Sequence, residues 1–246
     1  MHDASEASAT SATGDAGEAR IVASWHSNAQ AWTAAVRERR IDSRTLVTDQ
    51  AIIDAVQSRS PHRVLDIGCG EGWLARALAA SGIDVIGIDV VPGLIAQAQA
   101  LGGGEFRVAS YQEASIATLG VTADVAVCNF SLLGKESVEV LFAAIPSLLE
   151  TGGAFIIQTL HPVVACGEAP YRDGWREGSW AGFSDDFSDP APWYFRTLGS
   201  WLALFRRHGL SLLQLREPLD PRSQRPASMI FIAGVTECAK ANLQPP

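Results

Sequence analysis

The feature that most constrains the fold is a short apolar segment that runs into a glycine-rich loop. Residues 64–72 read VLDIGCGEG, with a glycine at every second position from Gly68 to Gly72. A helical pattern follows to about residue 80, and a second apolar segment at residues 85–88 ends in Asp89. A strand, a glycine loop, a helix and a second strand in this order predict a βαβ unit with parallel strands.

The same alternation of strands and helices continues along the chain. The predicted helices cover residues 92–101, 137–149 and 198–208, and the further predicted strands cover residues 106–109, 124–129, 154–159, 212–215 and 229–235. The two closing strands lie a hairpin-like distance apart, which indicates an antiparallel end to the sheet. The pattern predicts an α/β fold with a mainly parallel sheet, helices on both faces, and ligands at the carboxyl ends of the strands.

A chain of 246 residues is long enough for one domain with added segments. Residues 1–20 are rich in Ala, Ser, Thr, Gly, Asp and Glu and contain no apolar stretch of a secretory signal, so we expect a disordered tail there. Apolar residues at helical spacing predict a helical cap over residues 21–60, before the main domain at 61–246. Within that domain, residues 161–196 carry four prolines and eight aromatic residues and are expected to form a long insert.

The composition narrows the possible partners. No apolar run approaches the roughly 18 residues of a membrane span, which argues against a transmembrane role. The net charge of -8 argues against nucleic-acid binding, since a phosphate backbone requires clustered basic residues. One basic cluster, Arg37, Arg39, Arg40 and Arg44, is interpreted as a solvated helix face.

The four cysteines give no sign of a metal site or of a disulfide framework. They stand at positions 69, 128, 166 and 238, without a C-x-x-C pair and without a histidine at ligand spacing. We therefore expect reduced thiols, no bound metal and a cytoplasmic location.

The glycine loop and the acid before it predict the kind of ligand. Glycines between a strand and a helix allow close approach of the backbone to a ligand, and the helix end offers free N–H groups. The spacing here is G-x-G-x-G, whereas the dinucleotide fingerprint is G-x-G-x-x-G. Asp66, two residues before the first glycine, would repel a pyrophosphate and would suit positive charge, such as an amino group and a sulfonium.

Asp89 extends this prediction to a ribose. An acid at the end of the second strand is placed to accept hydrogen bonds from both ribose hydroxyls, although it could also cap the helix that follows. The predicted ligand is thus a ribonucleoside without phosphates. Cys69 is interpreted as a small side chain that fills space beneath the loop.

These motifs resemble those of the class I S-adenosylmethionine-dependent methyltransferases. VLDIGCGEG, LARALAASG and VIGID resemble the first motif, its helix and the acidic strand end of that family. ADVAVCNFSLL resembles the fourth-strand motif, and LLETGGAFIIQTLHP resembles the LLkPGG signature, with Glu150 and Thr151 in place of the usual Lys-Pro. The resemblance covers roughly residues 60–160 and is greatest to the small-molecule branch that includes ubiquinone-biosynthesis methylases.

The resemblance implies a Rossmann-like seven-stranded sheet with an antiparallel final strand, and S-adenosylmethionine as cofactor, with S-adenosylhomocysteine as product. VASYQE lies where the family contacts adenine, which assigns Ser110 and Tyr111 to the base. The implied cofactor-binding residues are Asp66, Gly68, Cys69, Gly70, Gly72, Asp89, Val90, Ser110, Tyr111, Asn129 and Phe130.

The sequence gives less information about the site that would bind the methyl acceptor. The NFSL sequence at residues 129–132 lacks the Pro-Pro that the family's base and amide methylases carry there, which disfavours those acceptors. His161 would overhang the donor methyl group and could act as a general base, or could make a structural hydrogen bond in a His-Pro turn. Aromatic residues of the cap and the insert could form an apolar acceptor site or a satellite core, and they include Trp25, Trp32, Tyr171, Trp175 and Trp193.

The favoured function is methyl transfer to a small molecule by in-line displacement, in a monomer or homodimer (class EC 2.1.1). Two alternatives remain open: a dinucleotide-dependent oxidoreductase, which the glycine spacing and Asp66 disfavour, and a non-catalytic module that binds S-adenosylmethionine.

Overall fold

The computed structural model describes the backbone of residues 3–236 and the side chains of residues 16–236 except residue 116. Cys238, for which the sequence predicts a reduced thiol, lies outside the described residues. The other three cysteines are buried and free. None of the described helices is both long enough and apolar enough to cross a membrane.

The chain alternates helices and strands, as the sequence predicts. The strands are β1 (Arg63–Ile67), β2 (Asp84–Asp89), β3 (Glu105–Val108), β4 (Ala123–Asn129), β5 (Leu149–Thr159), β6 (Gly174–Arg176), β7 (Trp193–Phe195), β8 (Leu210–Arg216) and β9 (Met229–Val235). The helices are α1 (Asp3–Arg37), α2 (Asp49–Gln57), α3 (Trp73–Ala79), α4 (Pro92–Leu101), α5 (Ile116–Leu119), α6 (Glu136–Leu148), α7 (Pro162–Ala165) and α8 (Leu198–Arg207). A π-helical turn, Arg44–Thr48, leads directly into α2.

Seven strands form one sheet in the order β3-β2-β1-β4-β5-β9-β8. β1 to β5 run parallel, and β9 is antiparallel to both β5 and β8. The predicted fold class is therefore confirmed. β1 and β4 are neighbours in the sheet, but the chain continues from β1 to β2 on one side and from β4 to β5 on the other. The carboxyl ends of β1 and β4 therefore form a crevice, which is where open α/β sheets bind ligands.

The hydrophobic core covers both faces of the sheet. On one face α6 and α8 pack against it through buried aromatic side chains such as Phe142 and Phe205, whose ring centroids are 5.1 Å apart. On the other face α2 and α3 pack through Ile52, Leu74 and Leu78. Burial on both faces explains why the central strands read as continuous apolar segments in the sequence.

The sequence predicts a disordered tail over residues 1–20, whereas the structure describes a helix, α1, from Asp3 onward. The physical reason is that alanine recurs throughout this segment and has the highest intrinsic helix propensity. The end of the segment is also held by contacts. Glu18 accepts hydrogen bonds from the backbone N–H of Lys135 and the hydroxyl of Ser137, at 2.7 Å each. Met1 and His2 lie outside the described residues.

The interpretation of the basic cluster as a solvated face is correct for Arg39 and Arg40 but wrong for Arg44. The π-helical turn directs Arg44 inward, and the residue is only 8% exposed. A guanidinium tolerates this position because it pairs with Asp49 at 2.9 Å and stacks on aromatic rings.

The insert lies across the carboxyl edge of the sheet. β6 and β7 form a two-stranded antiparallel ribbon, and the N–H of Tyr194 donates to the carbonyl of Leu133, just beyond β4. The insert also meets α1, since the rings of Trp25 and Trp180 lie 5.9 Å apart. α1 and the insert together therefore cover the crevice at the carboxyl edge.

Candidate active site

The glycine loop after β1 is held in a single tight conformation. Gly68 and Gly72 have φ angles of 77° and 82°, a region in which residues with a side chain are strained. A Cβ on Gly68 would also overlap the side chain of Ser131. The N–H groups of Gly68 and Cys69 both donate to the carbonyl of Ile88, at 2.8 and 3.0 Å. The loop is thus tied to the end of β2.

Asp89 ties the loop to β2 a second time. Its Oδ2 accepts a hydrogen bond from the N–H of Gly70, and its Oδ1 accepts one from the N–H of Val91, both at 2.9 Å. Burial raises the pKa of Asp89, while these backbone hydrogen bonds oppose the rise. Each carboxylate oxygen can accept a further hydrogen bond, so the residue can both order the loop and bind a pair of hydroxyls.

Asp66 is a buried carboxylate with an incomplete set of partners. It is 1% exposed, and its Oδ2 has no hydrogen-bond partner among the described residues. Burial, and then the nearby charge of Asp89, raise the pKa of Asp66 to about 7. Leaving a carboxylate unsatisfied at this depth is costly, and a cationic or hydrogen-bonding ligand at the loop would relieve the cost.

A cavity of about 320 Å³ opens beside the loop, and we call it the Asp89 cavity. Asp89, Val90, Ser110 and Tyr111 line it, together with Gly68 and Gly70. The hydroxyl of Ser110 donates to Glu113, and the hydroxyl of Tyr111 donates to the carbonyl of Ser131, each at 2.8 Å. The structure therefore brings most of the predicted cofactor-binding residues to one cavity, whereas Asp66 and Gly72 are not among its lining residues.

A second cavity of about 340 Å³ adjoins the first, and we call it the Arg44 cavity. The two cavities share six lining residues, which are Trp25, Trp32, Gly68, Gly70, Asn129 and Phe130. Cys69 lines the Arg44 cavity, and burial raises the pKa of its thiol well above the usual value, which keeps it protonated and unreactive.

Asn129 and Phe130 stand at the junction of the two cavities, at the end of β4. The side-chain oxygen of Asn129 accepts a hydrogen bond from Gln158 at 3.0 Å. Phe130 has a φ of 53°, in the left-handed region that is unfavourable for an aromatic residue. Such strain is often found at functional sites, where the surrounding structure maintains it.

The aromatic residues that the sequence proposes for the acceptor are only partly brought together. Trp25, Trp32 and Trp193 line the Arg44 cavity. Tyr171 and Trp175 do not. The hydroxyl of Tyr171 accepts from the N–H of Leu198 at 2.9 Å, and the ring of Trp175 packs on Tyr194 with centroids 5.7 Å apart. Tyr171 is 46% exposed and Trp175 is partly buried, so neither belongs to the described hydrophobic core.

His161 lies outside the lining of both cavities, although its neighbours Leu160 and Pro162 line the Arg44 cavity. Its ring is 7% exposed, and its Nε2 is 2.7 Å from Oε1 of Glu217. This contact agrees with the interpretation of a structural hydrogen bond, while the buried Nδ1 of the ring has no partner among the described residues.

Sequence reasoning did not identify three polar residues of the Arg44 cavity, which are Arg44, Thr48 and Arg196. The sequence carries no signal that separates Arg44 from its exposed neighbours Arg39 and Arg40, because only the π-helical turn decides which side chain points inward. Arg196 follows the aromatic run of β7 and could have been considered as a buried cation stacked on rings.

The fold and the site together define a Rossmann-like α/β domain with two adjoining cavities at the carboxyl edge of its sheet. Residues 37–215 match the family model described as a methyltransferase domain. The chain therefore belongs to this methyltransferase family, and the resemblance of its motifs to class I members is confirmed.

Individual relatives agree with this assignment. A ubiquinone biosynthesis O-methyltransferase of Xanthomonas axonopodis pv. citri is 33% identical over 104 residues, which are 40% of this chain and 43% of the relative. The match thus spans less than half of that relative. The crystal structure of an S-adenosylmethionine-dependent methyltransferase from Mesorhizobium loti is 25% identical, with a TM-score of 0.56 over 73% of this chain and 95% of the other. A putative methyltransferase structure from Listeria monocytogenes has a TM-score of 0.58 at 19% identity, covering 72% and 92% of the two chains, which supports the fold alone.

Proposed function

We propose that this protein transfers a methyl group from S-adenosylmethionine to a small-molecule acceptor by in-line displacement. The observation that carries the proposal is the junction of two cavities at Gly68, Gly70, Asn129 and Phe130. One cavity presents a buried acid suited to ribose hydroxyls, and the other is walled by aromatic rings. Two adjoining cavities of this kind suit a methyl donor and a methyl acceptor whose reacting atoms must be brought into contact.

The residues present fit S-adenosylmethionine. Asp89 would bind the ribose hydroxyls, Ser110 and Tyr111 would lie beside the adenine, and the glycine loop would contact the methionine part. The unpartnered Oδ2 of Asp66 supports a ligand that brings hydrogen-bond donors or positive charge to the loop. When bound, this cofactor supplies an activated methyl group on a sulfonium, so the chemistry does not require a strong catalyst from the protein.

The chain's own contribution is alignment and exclusion of water. Trp25, Trp32 and Trp193 form walls against which a planar acceptor can be held in one orientation. The cover formed by α1 and the insert limits access of solvent to the junction. Holding two reactants in line accounts for a large part of the rate enhancement in reactions of this kind.

No His, Asp, Glu or Lys is found among the described residues that line the Arg44 cavity. We therefore propose that the acceptor loses its proton to solvent or arrives ionised, and that the protein does not use a general base. The name of the Xanthomonas relative, a ubiquinone biosynthesis O-methyltransferase, supports a small molecule with an ionisable hydroxyl as the acceptor.

The first test is calorimetric titration of the purified protein with S-adenosylmethionine and with S-adenosylhomocysteine. We expect both to bind with dissociation constants on the order of micromolar. Absence of binding by either compound would contradict the proposal. Binding without turnover of any acceptor in a broad screen of phenols and small acids would favour the non-catalytic alternative, and tight binding of a reduced nicotinamide dinucleotide would favour the oxidoreductase.

A further inference from the structure

The charged residues of the Arg44 cavity all have the same sign. Its described lining is dominated by aromatic and aliphatic side chains, and the two charged residues in it are Arg44 and Arg196. No acidic residue is found in this described lining. Arg44 pairs with Asp49 outside the lining, whereas Arg196 has no ion pair among the described residues. The cavity therefore favours a ligand that carries negative charge, since burying positive charge without a partner is unfavourable.

Arg44 has a free donor in a fixed position. Its Nε donates to Oδ1 of Asp49 at 2.9 Å, and its guanidinium carbon lies 4.5 Å from the ring centroid of Trp73 and 5.7 Å from that of Trp32. The two rings and the carboxylate hold the guanidinium plane. Its Nη2 is buried and has no hydrogen-bond partner among the described residues. A buried donor left unpaired costs more than a paired donor gains, so a ligand oxygen that reached this atom would remove the cost.

Thr48 is a second, independent observation of the same kind. It lies four residues after Arg44 on the same π-helical turn, lines the same cavity and is 1% exposed. Its Oγ1 also has no partner within the described part of the chain. Residues four apart on one helical turn are neighbours on its surface. Irregular turns of this type are frequent at functional sites.

Arg196 adds positive charge from the other side of the cavity. Its two terminal nitrogens donate to the carbonyls of Gly134 and Lys135, at 2.8 and 3.0 Å, and its guanidinium lies 4.9 Å from the ring of Tyr194. Carbonyls satisfy its donors but do not neutralise its charge. Burial lowers the pKa of Arg196, while the nearby charges of Glu139 and Asp173 oppose the shift.

We propose that the acceptor is an aromatic carboxylate, and that Arg44 and Thr48 bind its carboxylate group while the aromatic walls hold its ring. A carboxylate supplies two acceptor oxygens, which match the unpaired Nη2 of Arg44 and the hydroxyl of Thr48. Arg196 contributes attraction without direct contact. A neutral analogue would leave the two donors unpaired, and such mismatches are a strong basis of selectivity. This inference rests on the proposed function, because it names the acceptor of the same site.

The test compares matched probes that differ only in charge. Benzoate with benzamide, 3,4-dihydroxybenzoate with its amide, and indole-3-acetate with its amide are titrated by tryptophan fluorescence and by calorimetry, with S-adenosylhomocysteine present. We expect the wild-type protein to bind the carboxylate of at least one pair about tenfold more tightly than the amide. Equal affinity within every pair, or binding of no probe, would overturn the proposal.

Variants then assign the preference to residues. Arg44→Met should reduce the preference to less than about threefold, and Thr48→Val, which preserves shape, should reduce it by about threefold or more. Arg222→Met is the control, because Arg222 is exposed and pairs with Asp42 on the surface. If Arg44→Met does not fold, the ratio of carboxylate to amide affinity in the wild-type protein and in Thr48→Val still tests the proposal. An unchanged preference in Thr48→Val and in a folded Arg44→Met would overturn the assignment.

The outcome can be separated from that of the proposed function. Binding of S-adenosylhomocysteine without a preference for carboxylates refutes only the acceptor class. A preference for carboxylates without binding of S-adenosylhomocysteine or S-adenosylmethionine refutes methyl transfer and leaves an anion-binding cavity.

Discussion

Asp89, at the end of β2, accepts a hydrogen bond at 2.9 Å from the backbone N–H of Gly70, in the loop that follows β1. The two residues are nineteen positions apart in the chain and belong to two separate sequence motifs. The bond joins the motifs into one structure before any ligand binds. Asp89 therefore has two roles, ordering the loop and presenting its remaining acceptor positions to the Asp89 cavity.

Replacement of Asp89 should affect both roles. Asp89→Ala is expected to weaken S-adenosylhomocysteine binding by at least about tenfold, because hydrogen bonds to a carboxylate are lost and the loop is released. Calorimetry measures the affinity, and circular dichroism confirms folding. Asp84→Asn, on the same strand but in an exposed pair with Arg63, is the matched control. Near-native affinity in a folded Asp89→Ala protein would rule out the ribose assignment.

The unliganded protein should lose stability as pH rises, in part through Asp66. The pKa of Asp66 is about 7 in the folded state and about 3.9 when unfolded. Between these values the folded state keeps a proton that the unfolded state has released, so stability falls as pH rises through this window. Asp66→Asn cannot ionise and should be more stable than the wild type by roughly 1–4 kcal/mol at about pH 8, but not at about pH 4.

Urea denaturation of both proteins at several pH values measures this difference. A constant difference between about pH 4 and pH 8 would show that Asp66 does not titrate in that window. The same substitution should weaken S-adenosylmethionine binding, so higher stability is expected together with lower affinity.

Replacing a glycine of the loop by alanine should reduce stability and cofactor binding far more than the same replacement in a surface turn. Gly68 and Gly82 both have positive φ angles, but a Cβ on Gly68 overlaps Ser131 whereas a Cβ on Gly82 has no neighbour within 4 Å. Gly82→Ala is expected to cost about 1 kcal/mol of stability and to leave cofactor binding unchanged. Gly68→Ala should cost more and should abolish measurable binding. Similar losses in both variants would mean that the packing against Ser131 is unimportant.

Glu18 should stabilise the protein, although it lies in the segment for which the sequence predicts a disordered tail. It accepts hydrogen bonds from the N–H groups of Lys135 and Ser137, where α6 begins. Glu18→Ala should lower the free energy of unfolding by about 1 kcal/mol, the usual cost of removing a helix cap. Thermal and urea denaturation measure the effect, with Glu177→Ala as a control at an exposed ion pair. No change in stability would indicate that the contact is dispensable.

His161→Gln distinguishes a base from a structural residue. Because its ring pairs with Glu217 outside both cavities, we expect turnover to fall less than about threefold and stability to fall by about 1 kcal/mol. Rates are measured with an acceptor found in the screen, across pH. A loss of about a hundredfold or more, with the acidic arm of the pH–rate profile altered and cofactor binding intact, would instead identify His161 as a general base.

The order of elements could be read from the sequence because each element carries its own local signal. α4 and β9 begin and end where the spacing of apolar residues predicts. β5 starts earlier than predicted, at Leu149, which pairs with Ala123 of β4. Glu150 to Gly153, which are polar or small, lie in the register shift between this pair and the pair of Ala154 with Val125. Pairing partners are distant in the chain, so no local pattern reports them.

The sequence by itself determined the parallel sheet, the glycine loop and the two acids that flank it, since these depend on periodicity and on residues within a single βαβ unit. Only the tertiary structure decided which polar residues the second cavity contains. Arg44 and Arg39 look alike in the sequence, and Tyr171 looks as suitable as Trp193. Their roles differ because a π-helical turn buries one guanidinium and because the insert folds Trp193, but not Tyr171, toward the crevice. The direction of a side chain at such a turn depends on packing between segments that are distant in the sequence. This packing determines which side chains line the proposed acceptor site.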